Sequence, residues 1–230
     1  MRWLLTLVIA LVGGFAGAAL WQFAGVGPNP TREYLLANPE VLPEAIEVLN
    51  RRETLAKVEP LRDELEAPFP GAMLGNPDGK VTLVEFSDYA CGYCRQSMDD
   101  VMALIAANPD LKVVIREFPI LSEGSGAAAR MALAAAQQGK YAAFHDAMFA
   151  KDGPSEENIA AAAREAGVDI AKAQAAIDGG AFEGQLQNNM FLAQSLGFSG
   201  TPSWIVGDQV LNGAVGIDKI SQAIEAARKS

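Results

Sequence analysis

The chain has two cysteines, Cys91 and Cys94, standing three apart in Cys91-Gly92-Tyr93-Cys94. An apolar β-type run, Val81, Leu83, Val84 and Phe86, leads into them through Ser87 and Asp88, and a helix-compatible stretch, Gln96 to Ala107, follows. The pair is therefore expected at a strand-to-helix junction. Cysteines at the first turn of a helix can close a small disulfide, and the upstream sulfur faces unpaired N–H groups and the positive end of the helix dipole. Both effects favour a thiolate, the species that attacks disulfides. Two plainer readings compete. Tetrahedral zinc needs about four N, S or O ligands, and beyond the pair the chain offers no cysteine and one histidine, His145; neither a metal nor a cofactor is expected. A structural disulfide closing so short a loop would remove little unfolded-state entropy.

Glu85 stands on the same strand, six positions before Cys91. Strand alternation gives it the side of Val81 and Leu83, with Val84 and Phe86 on the other. A parallel strand covered on both faces would bury it, and a buried carboxyl has a raised pKa that lets it exchange protons near neutrality. The competing view is a surface glutamate at a strand end.

Far downstream, Gly197-Phe198-Ser199-Gly200-Thr201-Pro202 precedes a short β-type run, Ser203 to Val206, a Gly207-Asp208 turn and Gln209 to Asn212. On its own Thr201-Pro202 would be read as a loop proline. Together with Glu85-Phe86 before the CGYC sequence and Glu117-Phe118-Pro119 after the next strand, it makes most of residues 70–228 resemble the DsbA-like branch of the thioredoxin superfamily. The resemblance implies an α/β thioredoxin fold with an inserted helical subdomain. It further implies a cis peptide at Thr201-Pro202 packed on the dithiol, a substrate strand held at Thr201, and proton movement between Glu85 and the inner thiol. Cys91 is expected to be the exposed nucleophile and Cys94 the resolving thiol. Thr201, Pro202, Gly92 and Tyr93 are the candidate substrate-binding residues. The DsbA type has Pro-His between its cysteines; Gly92-Tyr93 departs from that and argues against a strong oxidant.

The elements that must position these residues are legible around them. Asn76-Pro77-Asp78-Gly79 is a turn feeding the first strand, and Leu111 to Phe118 supplies the next, giving a right-handed βαβ unit with parallel strands. Residues 123 to 196 read as alanine-rich helices separated by glycine-containing breaks, with Ser155 and Asp169 as N-caps. His145 lies among aromatics there and is expected to be a packed residue. Ile217 to Arg228 reads as a terminal helix that turns Ile220, Ile224 and Ala227 to the core.

At 230 residues and 50% hydrophobic composition the chain can form one core with an insertion, or two small domains. Its net charge of −10 argues against a nucleic-acid partner, for which a basic footprint is expected. Residues 1–24 carry one charge, Arg2, and an apolar run from Trp3 onward. This is an export element, either a cleaved signal peptide with Ala16-Gly17-Ala18 as its site or an uncleaved membrane anchor, and the length of the run favours the anchor. Either form places the rest outside the cytoplasm, in the periplasm or a similar space.

Gly25 to Pro30 is a breaker-rich linker. Residues 31–66 read as amphipathic helices in which Leu35, Leu42 and Leu49 keep a seven-residue spacing, with Ile46 between. Such a pattern suits a short coiled-coil seam or a helix packed on its own domain. Pro39 and Pro43 break or start helices within it. The sequence YLLANPEVLPEAIEVLNRRE resembles the N-terminal extension of the ScsC-like (suppressor of copper sensitivity) members, which implies subunit joining through residues 31–66. The expected function is a thiol–disulfide oxidoreductase acting on client proteins with cysteines and recycled by a membrane redox partner. The alternatives are a copper-handling protein binding Cu(I) at the same thiolates and a non-catalytic binding module.

Overall fold

The computed structural model describes residues 2–23 and 29–229. Met1 and Ala24 of the export element and Gly25–Pro28 of the linker lie outside the described residues. The chain divides into two compact units, residues 1–50 and 51–230.

In the first unit, α1 (Arg2–Phe23) holds a 19-residue apolar stretch, Trp3–Trp21, with none of it buried. At 1.5 Å per residue a helix of this length reaches about 30 Å, enough to cross a bilayer's hydrocarbon core. The second helix, α2 (Pro30–Ala37), opens with Asn29 as N-cap, its side chain accepting from the Arg32 N–H at 3.0 Å. The chain breaks at Asn38-Pro39, while Pro43 sits in the first turn of α3 (Val41–Val58), where a missing N–H costs nothing. Leu42, Ile46 and Leu49 of α3 are exposed.

The second unit takes in the end of α3, a 3-10 turn at Glu59–Leu61 with Pro60 near its start, and α4 (Arg62–Glu66). A five-stranded sheet follows in the order β1-β3-β2-β4-β5: β1 (Met73–Gly75), β2 (Val81–Ser87), β3 (Leu111–Glu117), β4 (Ser203–Val206) and β5 (Gln209–Asn212). Only β2 and β3 pair in parallel, joined over one face by α5 (Gly92–Ala107). The remaining ladders are antiparallel. The edge strand β1 is not foreshadowed by the sequence pattern, because three residues are too few to show alternation.

Between β3 and β4 lie five helices, α6 (Glu123–Gln137), α7 (Tyr141–Phe149), α8 (Glu156–Glu165), α9 (Ile170–Asp178) and α10 (Glu183–Leu196), before the terminal α11 (Ile217–Ala227). Ser155 and Asp169 cap α8 and α9 as their sequence positions predict. All seven residues of β2 are buried, since helices cover both faces of the sheet. Val81, Leu83 and Trp204 pack with α5, α6, α7 and α11, whereas Val84, Phe86 and Ile205 pack with α10, Val58 and Leu65. This alternation turns Glu85 towards the α5 side. The architecture is a thioredoxin-like α/β fold with an inserted helical subdomain.

Candidate active site

Cys91 is the N-cap of α5, with φ −82° and ψ 114°, so its sulfur hangs over the unpaired N–H groups of the first turn. Its Sγ accepts from the Cys94 N–H at 3.4 Å and donates to the Thr201 carbonyl at 3.2 Å. Helix α5 therefore begins at Gly92, four residues before the sequence pattern places it. Both cysteines are unpaired thiols in the structure. Cys91 is 6% exposed and Cys94 0%, so the expectation of an exposed nucleophile needs correction: Cys91 is the more accessible of two buried thiols. The surface of the turn belongs to Gly92 and to Tyr93, which is 64% exposed. A Cβ placed on Gly92 would meet nothing within 4 Å, so the position can take a side chain without strain.

Cys94 projects inward. Burial first, and then the field of Glu85, push its thiol far above the ordinary value. Glu85 is itself 2% exposed, between Ile115 of β3 and Trp204 of β4 in the ladder, and its Oε2 has no hydrogen-bond partner among the described residues. Burial raises its carboxyl to about 8, and the Ser87 hydroxyl offsets only part of that. A neutral, proton-bearing Glu85 therefore lies within electrostatic reach of the inner thiol at physiological pH.

Thr201-Pro202 is cis, and the loop holding it meets the cysteine turn. A shallow groove bounded by Ser199, Gly200, Thr201, Pro202, Asn212 and Gly213 runs beside it. The structure thus brings Cys91, Cys94, Glu85, Thr201 and Pro202 together at one end of β2 and β4, with Gly92 and Tyr93 on the rim. No cluster of three or more His, Cys, Asp or Glu side chains suited to a metal occurs among the described residues.

Sequence reasoning missed what fixes this arrangement. The Asp88 carboxylate accepts from Ala90 N–H at 2.8 Å, Ile120 N–H at 2.7 Å, Leu121 N–H at 2.9 Å and Ser125 Oγ at 2.6 Å. One buried carboxylate thus ties the cysteine loop to the start of α6. An Asp at the end of a strand and just ahead of a turn is a signal for such local N–H bonding, although its distant partners leave no trace in sequence. Beside it, Tyr89 and Tyr141 converge on Glu117, and Tyr89 also meets His145.

Residues 82–225 match the DSBA-like thioredoxin domain, and residues 32–54 match the N-terminal domain of the copper resistance protein ScsC. Among curated relatives, the chain is 31% identical over 159 residues to the Na(+)/H(+) antiporter NhaA of Herminiimonas arsenicoxydans, covering 67% of this chain. It spans about a quarter of the length of the antiporters that it matches, 25% for that one. A thioredoxin-like oxidoreductase from Silicibacter pomeroyi is 45% identical, with a TM-score of 0.70 over 74% of this chain and 98% of that one. A linker-deleted Proteus mirabilis ScsC is 26% identical, with a TM-score of 0.68 over 86% of this chain and 92% of the other. A domain match over more than half of the chain, on a sheet that carries a dithiol against a cis-proline loop, means that this protein belongs to the DSBA-like thioredoxin family.

Proposed function

We propose that the protein is an extracytoplasmic thiol–disulfide oxidoreductase that forms or isomerises disulfides in client proteins through Cys91 and Cys94. The observation that carries this reading is the placement of Cys91 Sγ between the first N–H groups of α5 and the Thr201 carbonyl, beside an open groove. In client oxidation, a client thiolate attacks Cys91 Sγ of the disulfide form. The Cys91–Cys94 bond breaks, its electron pair goes to Cys94, and Glu85 supplies the proton that the buried sulfur needs. A second client thiolate then attacks the client sulfur of the mixed disulfide. It forms the client disulfide and releases Cys91 as thiolate, so that two electrons have passed to the enzyme. Isomerisation starts instead from the Cys91 thiolate attacking a client disulfide. Thr201 and Pro202, with Gly92 and Tyr93, form the surface on which the client chain lies as an added strand.

The remaining parts fit the same reading. Residues 1–24 carry the chain out of the cytoplasm and hold it at the membrane if uncleaved, near a membrane redox partner that recycles the dithiol. Leu42, Ile46 and Leu49 leave an apolar stripe on α3 open to water, which suits a homo-oligomer joined through residues 31–66. Several dithiols would then face one client volume, an arrangement suited to isomerisation. Insulin reduction and refolding of scrambled ribonuclease, each with Cys91→Ala as control, test the activity. Equal rates for wild type and variant in both assays would refute it.

A second reading, reversible Cu(I) capture by the two thiolates, is favoured by the match of residues 32–54 to a copper resistance protein. Cu(I) titration of the reduced protein decides it, and no binding at micromolar metal removes it.

A further inference from the structure

Glu117 ends β3 opposite Ser87 of β2, and strand alternation sets it with Val113 and Ile115 on the face that also bears Glu85. It is 1% exposed. Its Oε1 accepts from Tyr141 Oη at 2.7 Å and from Tyr89 Oη at 3.2 Å, while Tyr89 Oη lies 2.8 Å from His145 Nδ1. Tyr89, Tyr141 and His145 are buried too, and His145 Nε2 has no partner among the described residues. The groups that face Glu117 are Glu85 and Ser87 from β2, Asp88 and Tyr89 from the cysteine loop, and Tyr141 and His145 from α7, with Cys94 of α5 over the same face. None is a cation at neutral pH. Lys112 and Arg116 of β3 point to the opposite side by strand parity.

A phenol has one proton to give. When Glu117 is ionised, Tyr89 donates to it, so the contact between Tyr89 and His145 requires the Nδ1–H tautomer. When Glu117 is neutral, Tyr89 is free to donate to Nδ1, and the imidazole proton sits on Nε2. Burial raises the Glu117 carboxyl to about 8, with the phenols offsetting part of this and the charges of Asp88 and Glu85 adding to it. Glu85 and Glu117 therefore repel each other's ionisation, and the second proton leaves the pair with more difficulty than the first.

We propose that Glu117 is a positioning residue of the dithiol: a second buried carboxyl whose charge sets how readily Glu85 gives its proton to Cys94, with the hydrogen bond between Tyr89 and His145 reversing as that charge changes. This rests on the dithiol reading of Cys91 and Cys94. When the Cys91–Cys94 bond breaks, Cys94 receives the electron pair and a proton, and Glu85 is left as a carboxylate until water returns one. A neutral Glu117 permits that new charge. An ionised Glu117 opposes it, holding the proton on Glu85 to higher pH.

His145 is the sole histidine of the chain, so the imidazole 15N spectrum of the full protein reads this site alone. In wild type the Nδ1 and Nε2 shifts should exchange tautomer character between pH 6 and 10, with a midpoint that differs between disulfide and dithiol forms. In Glu117→Gln the tautomer should stay fixed. The alkaline limb of the thiol–disulfide exchange rate should narrow to a single ionisation, its upper edge lower by about one pH unit. An invariant tautomer in wild type, or superimposable rate profiles for wild type and Glu117→Gln, would overturn the proposal. If Glu117→Gln fails to fold, the wild-type spectrum alone decides. Absence of exchange by wild type at every pH would instead refute the dithiol reading itself.

Discussion

The Cys91 thiol donates to the Thr201 carbonyl at 3.2 Å, across 110 residues of chain. That bond ties the helix start after β2 to the loop before β4, two strands that pair directly in the sheet. The outer sulfur is thus set against the backbone of that loop, beside the groove bounded by Ser199, Gly200 and Pro202. The inner sulfur faces the sheet and Glu85, away from that groove. The two sulfurs therefore have different surroundings, one at the turn and one in the core.

This division should show in alkylation. In the reduced protein, iodoacetamide should modify Cys91 first and leave Cys94 largely untouched, because Cys94 is fully buried and burial holds its thiol protonated. Peptide mass spectrometry after brief exposure at pH 7 checks the order. With the resolving thiol removed, Cys94→Ala should accumulate mixed disulfides with client proteins, while Cys91→Ala should form none. Trapping through Cys94 would invert the assignment.

Glu85 should make stability fall as pH rises. Its carboxyl titrates at about 8 in the folded chain and at about 4.5 when unfolded, so the folded state binds more protons between those values. The stabilisation is complete below the unfolded value and lost on passing through the folded one, at up to about 1.4 kcal/mol per pH unit. Glu85→Gln removes that slope. Urea midpoints at pH 5 and 8.5 should show the variant gaining on wild type at the higher pH, while its exchange rate at pH 7 drops. His145 works in the other direction, since burial lowers its imidazole to about 3 and costs stability as pH falls below about 6.5. A parallel pH dependence in wild type and Glu85→Gln would exclude a buried, neutral Glu85.

Asp88 should matter more for order than any residue near it that lacks chemistry. Replacing it by Ala strips the acceptor from three backbone N–H groups at once and leaves the Ser125 hydroxyl with Ser122 alone. A buried donor left unpaired costs about 1–3 kcal/mol, so a loss of about 3 kcal/mol or more is expected by urea denaturation. Hydrogen exchange should rise in residues 119–125 as well as in the cysteine loop. An effect confined to the loop would show that Asp88 does not hold α6 in place.

What the sequence made legible was local. Cys91 and Cys94 announce a strand-to-helix turn because three residues suffice to close it, and Glu85 declares its face by alternation along one strand. Thr201-Pro202 became meaningful only beside the CGYC sequence. The network around Glu117 is silent in sequence because its partners, Tyr89 and Tyr141, lie 28 and 24 residues away on other elements. His145 was legible as packed, yet its bond to Tyr89 spans 56 residues and depends on how α7 docks on the sheet. Insertion helices were marked by caps and glycine breaks, which act over a few residues. The edge strand β1 exists only through its pairing with β3.

Arg116 joins β3 to the end of α4 through its guanidinium. Its side chain leaves β3 on the face opposite Glu117 and is 2% exposed. The guanidinium donates to the Leu65 carbonyl at 3.1 Å, the Ala67 carbonyl at 2.6 Å and Asn189 Oδ1 at 3.2 Å, and it also meets the Glu64 carbonyl. Carbonyls at the end of a helix have no partners within it, and a planar, forked donor suits several at once. Burial lowers the guanidinium to about 10, with Glu64 offsetting part of this, so it stays charged at neutral pH. Arg116→Lys keeps a charge but offers one nitrogen in place of a fork. It should lower stability by about 3 kcal/mol in urea, because buried carbonyls lose their donors. Amide exchange in residues 62–68 should rise with little change in β2. Protection retained across 62–68 in the variant would mean that the apolar contacts of Leu65 and Val58, not Arg116, keep α4 docked.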